Sequence, residues 1–219
     1  MMLQPWVSVY EAFVFDFDLT LADGSAWIVE SFHRVLSAHG YTQVDDEAIR
    51  RTIGMTLEDA FARLTGESDW AALEAYHREY TAVCRPQMPE HTHFYPEALL
   101  LLRLLREAGK RLAIVSTKDS HVIRRTLELN GLEDWFDTVI GLNDVHAHKP
   151  DPAGLREAMR RLGVTERETL YFGDNVIDAR TALNAGVDYV GVTTGVHQAD
   201  ELAAFPHRAV VETLAGLLD

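Results

Sequence analysis

Hydrophobic and polar residues change their spacing twice along the chain. Residues 12–16, Ala-Phe-Val-Phe-Asp, form a short unbroken apolar run that ends on an acid. Such a run suits a strand buried on both faces of a parallel sheet, where no polar alternation is needed. From about residue 24 to 93 the spacing is helical, and no strand is predicted. Ser25 can cap a first helix that stops near Gly40, and Asp45 or Asp46 a second that stops near Gly54. Thr56 with Asp59 makes a capping-box-like pair for a third helix ending at Gly66, and Ser68 can cap a fourth reaching Cys84. Four helices with short connections describe a small bundle.

Pro86, Pro89 and Pro96 surround the return to the first pattern. A leucine-rich helix starts at Pro96 and ends at Gly109. Strands are then predicted at 112–116, 138–140, 170–173 and 189–192, with a weak edge strand at 209–211. Helices lie between them: 120–130 closed by Gly131, one capped by Asp151 and stopped by Gly163, and one ending at Ala185 before Gly186. Strands alternating with helices give parallel βαβ units. The expected fold is therefore α/β, a Rossmann-like parallel sheet whose core comprises residues 1–22 and 94–219. An α-helical cap, residues 23–93, is inserted after its first strand. That insertion overhangs the carboxyl ends of the strands, where open α/β sheets bind ligands.

Composition changes this picture little, but charge sharpens it. The 219 residues carry 20 Lys plus Arg against 34 Asp plus Glu, a formal charge of −14. That excess of acid argues against a nucleic-acid or anionic-membrane binder, which would need a basic face, although a local cation could still hold a small phosphorylated ligand. The first basic residue is Arg34, so the start lacks the positive region of a signal peptide. The most apolar stretch, 98–105, is broken by Arg103 and is far shorter than the ~20 residues of a membrane span. Cys84 is the single cysteine, which suits a packed helix residue in a reducing cytoplasm.

Four polar clusters fall at predicted strand ends. Asp16 and Asp18, one residue apart after a buried strand, would repel each other unless a cation or a proton intervenes. Ser116 and Thr117, before a helix starting near Asp119, could bind a phosphate oxygen with backbone N–H groups. Lys149 projects from a backbone stiffened by Pro150 and Pro152. Asp174 follows Gly173, and Asp178 lies one helical turn beyond it, offering hard oxygen ligands suited to Mg²⁺. Each cluster alone also reads as ordinary capping or surface chemistry. Their order along the chain is more specific: two acids, a hydroxyl, a lysine, then two more acids, converging on one crevice.

With these residues in view, nearly the whole chain resembles the haloacid dehalogenase superfamily, in particular its phosphatases with a helical cap. Asp16-Phe-Asp-Leu-Thr20, Ser116, Lys149-Pro150 and Gly173-Asp174 through Asp178 match that family's four motifs in register. The resemblance implies a Mg²⁺-dependent phosphatase acting on a small phosphorylated metabolite. It makes Asp16 the nucleophile and a metal ligand, and Asp18 the general acid and base, binding metal through its main-chain carbonyl. Ser116, Thr117 and Lys149 would hold the phosphoryl group. Asp174 would complete the metal site, and Asp178 would ligate it or support a ligand.

Three departures stand out: Leu19 where many members have Gly, Asn175 where Ser or Thr is common, and Glu97 after Pro96 where Gly is frequent. The carboxylate of Asp18 disfavours dehalogenase chemistry, because the dehalogenases lack it. The cap segment 51–59 resembles that of phosphoglycolate phosphatases more than that of β-phosphoglucomutases. Residues 24–93 contain no lysine, which excludes the Schiff base of a phosphonatase. A phosphomutase or a pyrophosphatase of the same superfamily remains an alternative, as does a receiver-like phosphoacceptor, which would lack both the lid and the Asp-x-Asp pair. The pairs His91/His93 and His146/His148 have zinc-like spacing without a nearby cysteine and are expected at the cap–core junction and in the loop before Lys149.

Overall fold

A computed structural model describes residues 2–219. In chain order, β1 (Ala12–Phe15) and β2 (Ala22–Asp23) precede four helices: α1 (Ser25–Ala38), α2 (Asp46–Arg50), α3 (Leu57–Thr65) and α4 (Trp70–Cys84). A 3-10 segment, Arg85–His91, leads to β3 (His93–Phe94). Helix and strand then alternate: α5 (Pro96–Glu107), β4 (Arg111–Val115), α6 (Ser120–Leu129), β5 (Thr138–Ile140), α7 (Ala153–Leu162), β6 (Thr169–Gly173), α8 (Val176–Ala185), β7 (Asp188–Val192), α9 (Ala199–Ala203) and β8 (Ala209–Val211).

Six strands form one parallel sheet in the order β5-β4-β1-β6-β7-β8. The apolar run of β1 is completely buried because both sheet faces are covered. Phe13 and Phe15 join one hydrophobic cluster with α5 and α6, while Ala12 and Val14 join another with α7 and α8. Phe15 stacks on Phe172 of the neighbouring strand with ring centroids 4.6 Å apart, a contact worth about 1 kcal/mol beyond its buried area. In α5, Ala98, Leu101, Leu102 and Leu105 are buried, the i, i+3, i+4, i+7 spacing of a helix face laid on a sheet.

The helical segment leaves and rejoins the core through a short antiparallel ribbon, Ala22 opposite Phe94 and Asp23 opposite His93. No strand was expected there, since two residues are too few for a periodic signal. The segment has its own cluster around Phe32, Phe61, Tyr76 and Tyr80, which Leu19 and Val122 enter from the core side.

Several predicted boundaries shift. Thr56 caps α3 by accepting from the Asp59 amide, and Gly66 closes it at φ +73°, as the spacing suggested. Ser25 is the first residue of α1 rather than its cap; Asp23 Oδ1 accepts its amide at 2.8 Å. Asp69, not Ser68, caps α4, because its carboxylate reaches the Ala71 amide. The second helix stops at Arg50, and residues 51–55 form turns up to Gly54, whose φ is +98°. Trp70 starts α4 and is 64% exposed, while Trp27 is buried against His91. Among the described residues no helix is long and apolar enough to cross a membrane.

Candidate active site

Asp16 continues the line of β1: its amide donates to Phe172 O at 2.8 Å, so the carboxylate is delivered at the sheet's carboxyl edge. Asp174 and Asp178 come from the adjacent β6–α8 junction. One carboxylate oxygen from each of the three acids lies within 4.8 Å of the others, and all three residues are buried. Asp178 reaches back toward β6 because Asn175 caps α8 and donates its own amide to Asp178 Oδ2 at 3.1 Å. Gly173 makes room for this return, since a Cβ there would stand 2.3 Å from the Asp178 side chain.

Lys149 is the single cation among them. Its Nζ lies 2.6 Å from Asp178 Oδ1 and 3.0 Å from Asp16 Oδ1. The peptide between Lys149 and Pro150 is cis. Tyr171, on β6, donates its hydroxyl to the same Asp178 oxygen at 2.8 Å, and Thr20 donates to Asp174 Oδ1 at 3.1 Å. Asp16 Oδ1 takes no aligned hydrogen bond despite the nearby ammonium.

Three buried carboxylates facing one ammonium leave negative charge in excess, and the acidities record it. Burial, then repulsion from Asp178 and Asp16, pushes Asp174 well above the ordinary carboxylate range. Burial also lifts Asp178 to about 6 against the pull of Lys149. Burial works against the charged form of Lys149, but Asp16 and Asp178 outweigh it and hold the ammonium protonated above its usual range. A hard cation fits this donor set, which consists of carboxylate oxygens with an unsatisfied Asp16 oxygen among them.

Asp18 stands apart from the triad. Its carboxylate is held by Lys118 of the loop after β4, whose Nζ donates to both oxygens at 2.9 and 3.0 Å, and it lines the crevice shared with the helical segment. Burial raises its pKa, and Lys118 only partly opposes this. Ser116 follows β4, is 7% exposed, and accepts the Lys118 amide at 3.3 Å. Thr117 is also at this edge, but its hydroxyl donates to Gly54 O at 2.9 Å, tying the core to the helical segment. All seven residues singled out in the sequence thus lie at the carboxyl edge of the sheet.

Other participants had been given no role. Lys118 follows Ser116 and Thr117 directly, and Thr20 closes the first acidic cluster, so both were within reach of the pattern. Tyr171 left a weaker sign, a hydroxyl in the middle of a buried strand. Gly195 left none: it belongs to the loop after β7, and a Cβ on it would stand 2.0 Å from Asp174 Oδ2. That loop is moored to the first motif by the Thr194 hydroxyl, which donates to Leu19 O. The histidine pairs stay outside the acidic cluster; His91 stacks on Trp27 at 4.1 Å and His93 lies in β3.

Known proteins are similar to this chain in sequence and in fold. The family model of haloacid dehalogenase-like hydrolases matches residues 13–192. The probable phosphatase IndB of Dickeya dadantii is 34% identical, over 92% of this chain and 89% of its own length. A phosphoglycolate phosphatase of Rhodobacter capsulatus is 32% identical over 94% of both chains, and the pyrophosphatase PpaX of Bacillus velezensis 31% identical over the same shares. A solved structure from Bacteroides fragilis, described as haloacid dehalogenase-like, superposes with a TM-score of 0.91 at 43% identity, covering 95% of this chain and all of that one. With most of its length matched and its acids, hydroxyl and lysine gathered at one sheet edge, the chain belongs to the haloacid dehalogenase-like hydrolases.

Proposed function

We propose that the protein is a Mg²⁺-dependent phosphatase that hydrolyses a small phosphomonoester through an aspartyl-phosphate intermediate. The observation that carries this reading is the buried triad of Asp16, Asp174 and Asp178 around Lys149. Mg²⁺ would be held by Asp16, Asp174 and the main-chain carbonyl of Asp18, with Asp178 as a ligand or the support of one. When bound, the ion offsets the repulsion between carboxylate and phosphate and stabilises charge on the phosphoryl oxygens.

Asp16 attacks phosphorus in line while the bond to the leaving oxygen breaks, and the phosphoryl group passes to the Asp16 carboxylate. Lys149 and the Ser116 hydroxyl hold phosphoryl oxygens during the transfer. Thr117, its hydroxyl engaged with Gly54, would contribute through its main chain. Asp18, whose burial favours the protonated form, donates a proton to the leaving oxygen. It then takes one from the water that attacks the aspartyl-phosphate, releasing inorganic phosphate and restoring Asp16. Lys118 fixes the orientation of Asp18. The helical segment, residues 23–93, serves as a cap that excludes bulk water and reads the leaving group. The relatives named for phosphoglycolate and pyrophosphate make those two anionic compounds the first candidates for a substrate panel. The lone thiol, Cys84, is buried and suits a cytoplasmic enzyme.

The test is phosphate release from p-nitrophenyl phosphate with Mg²⁺. Asp16→Asn should abolish turnover and Asp18→Asn should slow it at least ~100-fold; wild-type rates in both variants would overturn the assignment.

A further inference from the structure

Between the helical segment and the sheet edge lies a crevice of about 100 Å³, open at its mouth. Asp18 is part of its wall, so the crevice begins where a leaving oxygen would receive its proton. Most of the remaining wall is apolar, supplied by Ile28, Phe32, Met55, Leu57, Met88 and Val122.

Three potential cations also line it: Lys118, Arg85 and His77. Among the described residues each already has its own carboxylate. Lys118 holds Asp18 at 2.9 Å, Arg85 holds Asp119 at 2.9 Å, and His77 Nδ1 stands 2.5 Å from Glu58. Asp119 belongs to the cap of α6 and Glu58 to the first turn of α3, so both acids are fixed by their helices. With Asp18 protonated for proton donation, the charge of Lys118 is uncompensated only beside the Asp18 carboxyl; at Arg85 and His77 a second anionic group on the substrate would find no free positive charge. It would have to break a partly buried pair or lie uncompensated in an apolar wall, at a cost of several kcal/mol. An uncharged apolar body would instead cover the wall side chains, gaining ~25 cal/mol per Å² removed from water.

We infer that the leaving group this protein selects is an uncharged, largely apolar alcohol, aromatic or branched in body, rather than glycolate or a second phosphate. This rests on the phosphatase reading and departs from the substrates in the names of some relatives.

The experiment compares kcat/KM for phenyl phosphate, 4-carboxyphenyl phosphate, phosphoglycolate and pyrophosphate with Mg²⁺. The first two share one body and differ by a carboxylate, which makes the second the better leaving group in solution. The wild-type protein should nevertheless prefer phenyl phosphate to each anionic compound by at least ~10-fold, or about 1.4 kcal/mol. Asp119→Asn keeps a capping oxygen for α6 but frees Arg85, and the ratio of 4-carboxyphenyl to phenyl phosphate should rise roughly tenfold. Glu58→Gln, which frees His77, should move the ratio in the same direction and serves if the first variant does not fold. Equal or better turnover of any anionic compound by the wild-type protein would overturn the inference and leave the phosphatase reading standing. A ratio unmoved in folded variants would overturn the role of the pairs. No phosphate from any of the four compounds would overturn both readings.

Discussion

Asn175 Nδ2 donates to Ile53 O at 3.0 Å, joining the first turn after β6 to the helical segment at a point next to Asp174. The same side chain caps α8, its Oδ1 accepting the Ile177 amide at 2.9 Å. Thr117 makes the companion bond to Gly54 O, so two consecutive carbonyls of the 51–55 turn are held by the core. Asn175→Ser keeps a capping oxygen but cannot span to Ile53. Hydrogen exchange at the Ile53 and Met55 amides should therefore quicken roughly fivefold to tenfold, the value of one lost hydrogen bond. Global stability should stay within ~1 kcal/mol, since Ser and Asn are comparable caps. Unchanged exchange in this turn would show that Asn175 does not hold it.

Leu19 has φ +60°, a left-handed conformation that disfavours side chains, yet its side chain is 5% exposed in the cluster of the helical segment. The backbone conformation costs a non-glycine residue ~1–2 kcal/mol, while burial of a leucine returns ~1.5–3 kcal/mol. Leu19→Gly relieves the first and forfeits the second; Leu19→Ala forfeits the burial and keeps the strain. Chemical denaturation should rank wild type above Leu19→Gly and Leu19→Ala lowest, by ~1 kcal/mol between the two variants. An alanine variant more stable than the glycine one would contradict this account.

Much of this molecule was legible because strand ends carry local signatures. The apolar run 12–15 ends on Asp16, and Gly173 precedes Asp174, so the acids could be located before any contact was known. Asp69 outcompeted Ser68 as a cap because either side chain can fill that role, and only the chain's path decides which reaches the Ala71 amide. The pairing of Lys118 with Asp18 crosses a hundred residues, and no local rule reports it. The same is true of Leu19: the sequence marks an unusual residue, but its compensation lies in side chains of another cluster.

Gly195 illustrates the limit most sharply, for its role lies entirely in the space it leaves. A methyl group there would displace the Asp174 carboxylate, which Thr20 holds from the other side. Gly195→Ala should raise the Mg²⁺ concentration for half-maximal phosphate release at least ~10-fold, equivalent to about 1.4 kcal/mol. Its Tm in EDTA should change little, because the strain falls on a carboxylate already burdened by burial. An unaltered Mg²⁺ titration would refute the role given to this glycine.

Metal removal and pH are linked through the same acids. Folding raises Asp178 to about 6 and lifts Asp174 as well, so the metal-free fold favours their protonated forms. The contribution of Asp178 to stability is then fully present below the ordinary carboxylate pKa of ~4 and is lost as pH rises through about 6, and the raised Asp174 acts in the same sense. The elevated Lys149 acts only at alkaline pH, outside this window. A bound cation removes the repulsion that appears as these acids ionise, whereas at pH 5 it must compete with protons. The Tm difference between saturating Mg²⁺ and EDTA should therefore be ~5–10 °C at pH 7.5, taking ~2.7 kcal/mol at a hundredfold excess over Kd and 2–4 °C per kcal/mol for a chain of this size. At pH 5.0 it should fall below half of that. Groups remote from the site cancel in the difference, so equal shifts at the two pH values would mean that Asp174 and Asp178 do not bind the ion.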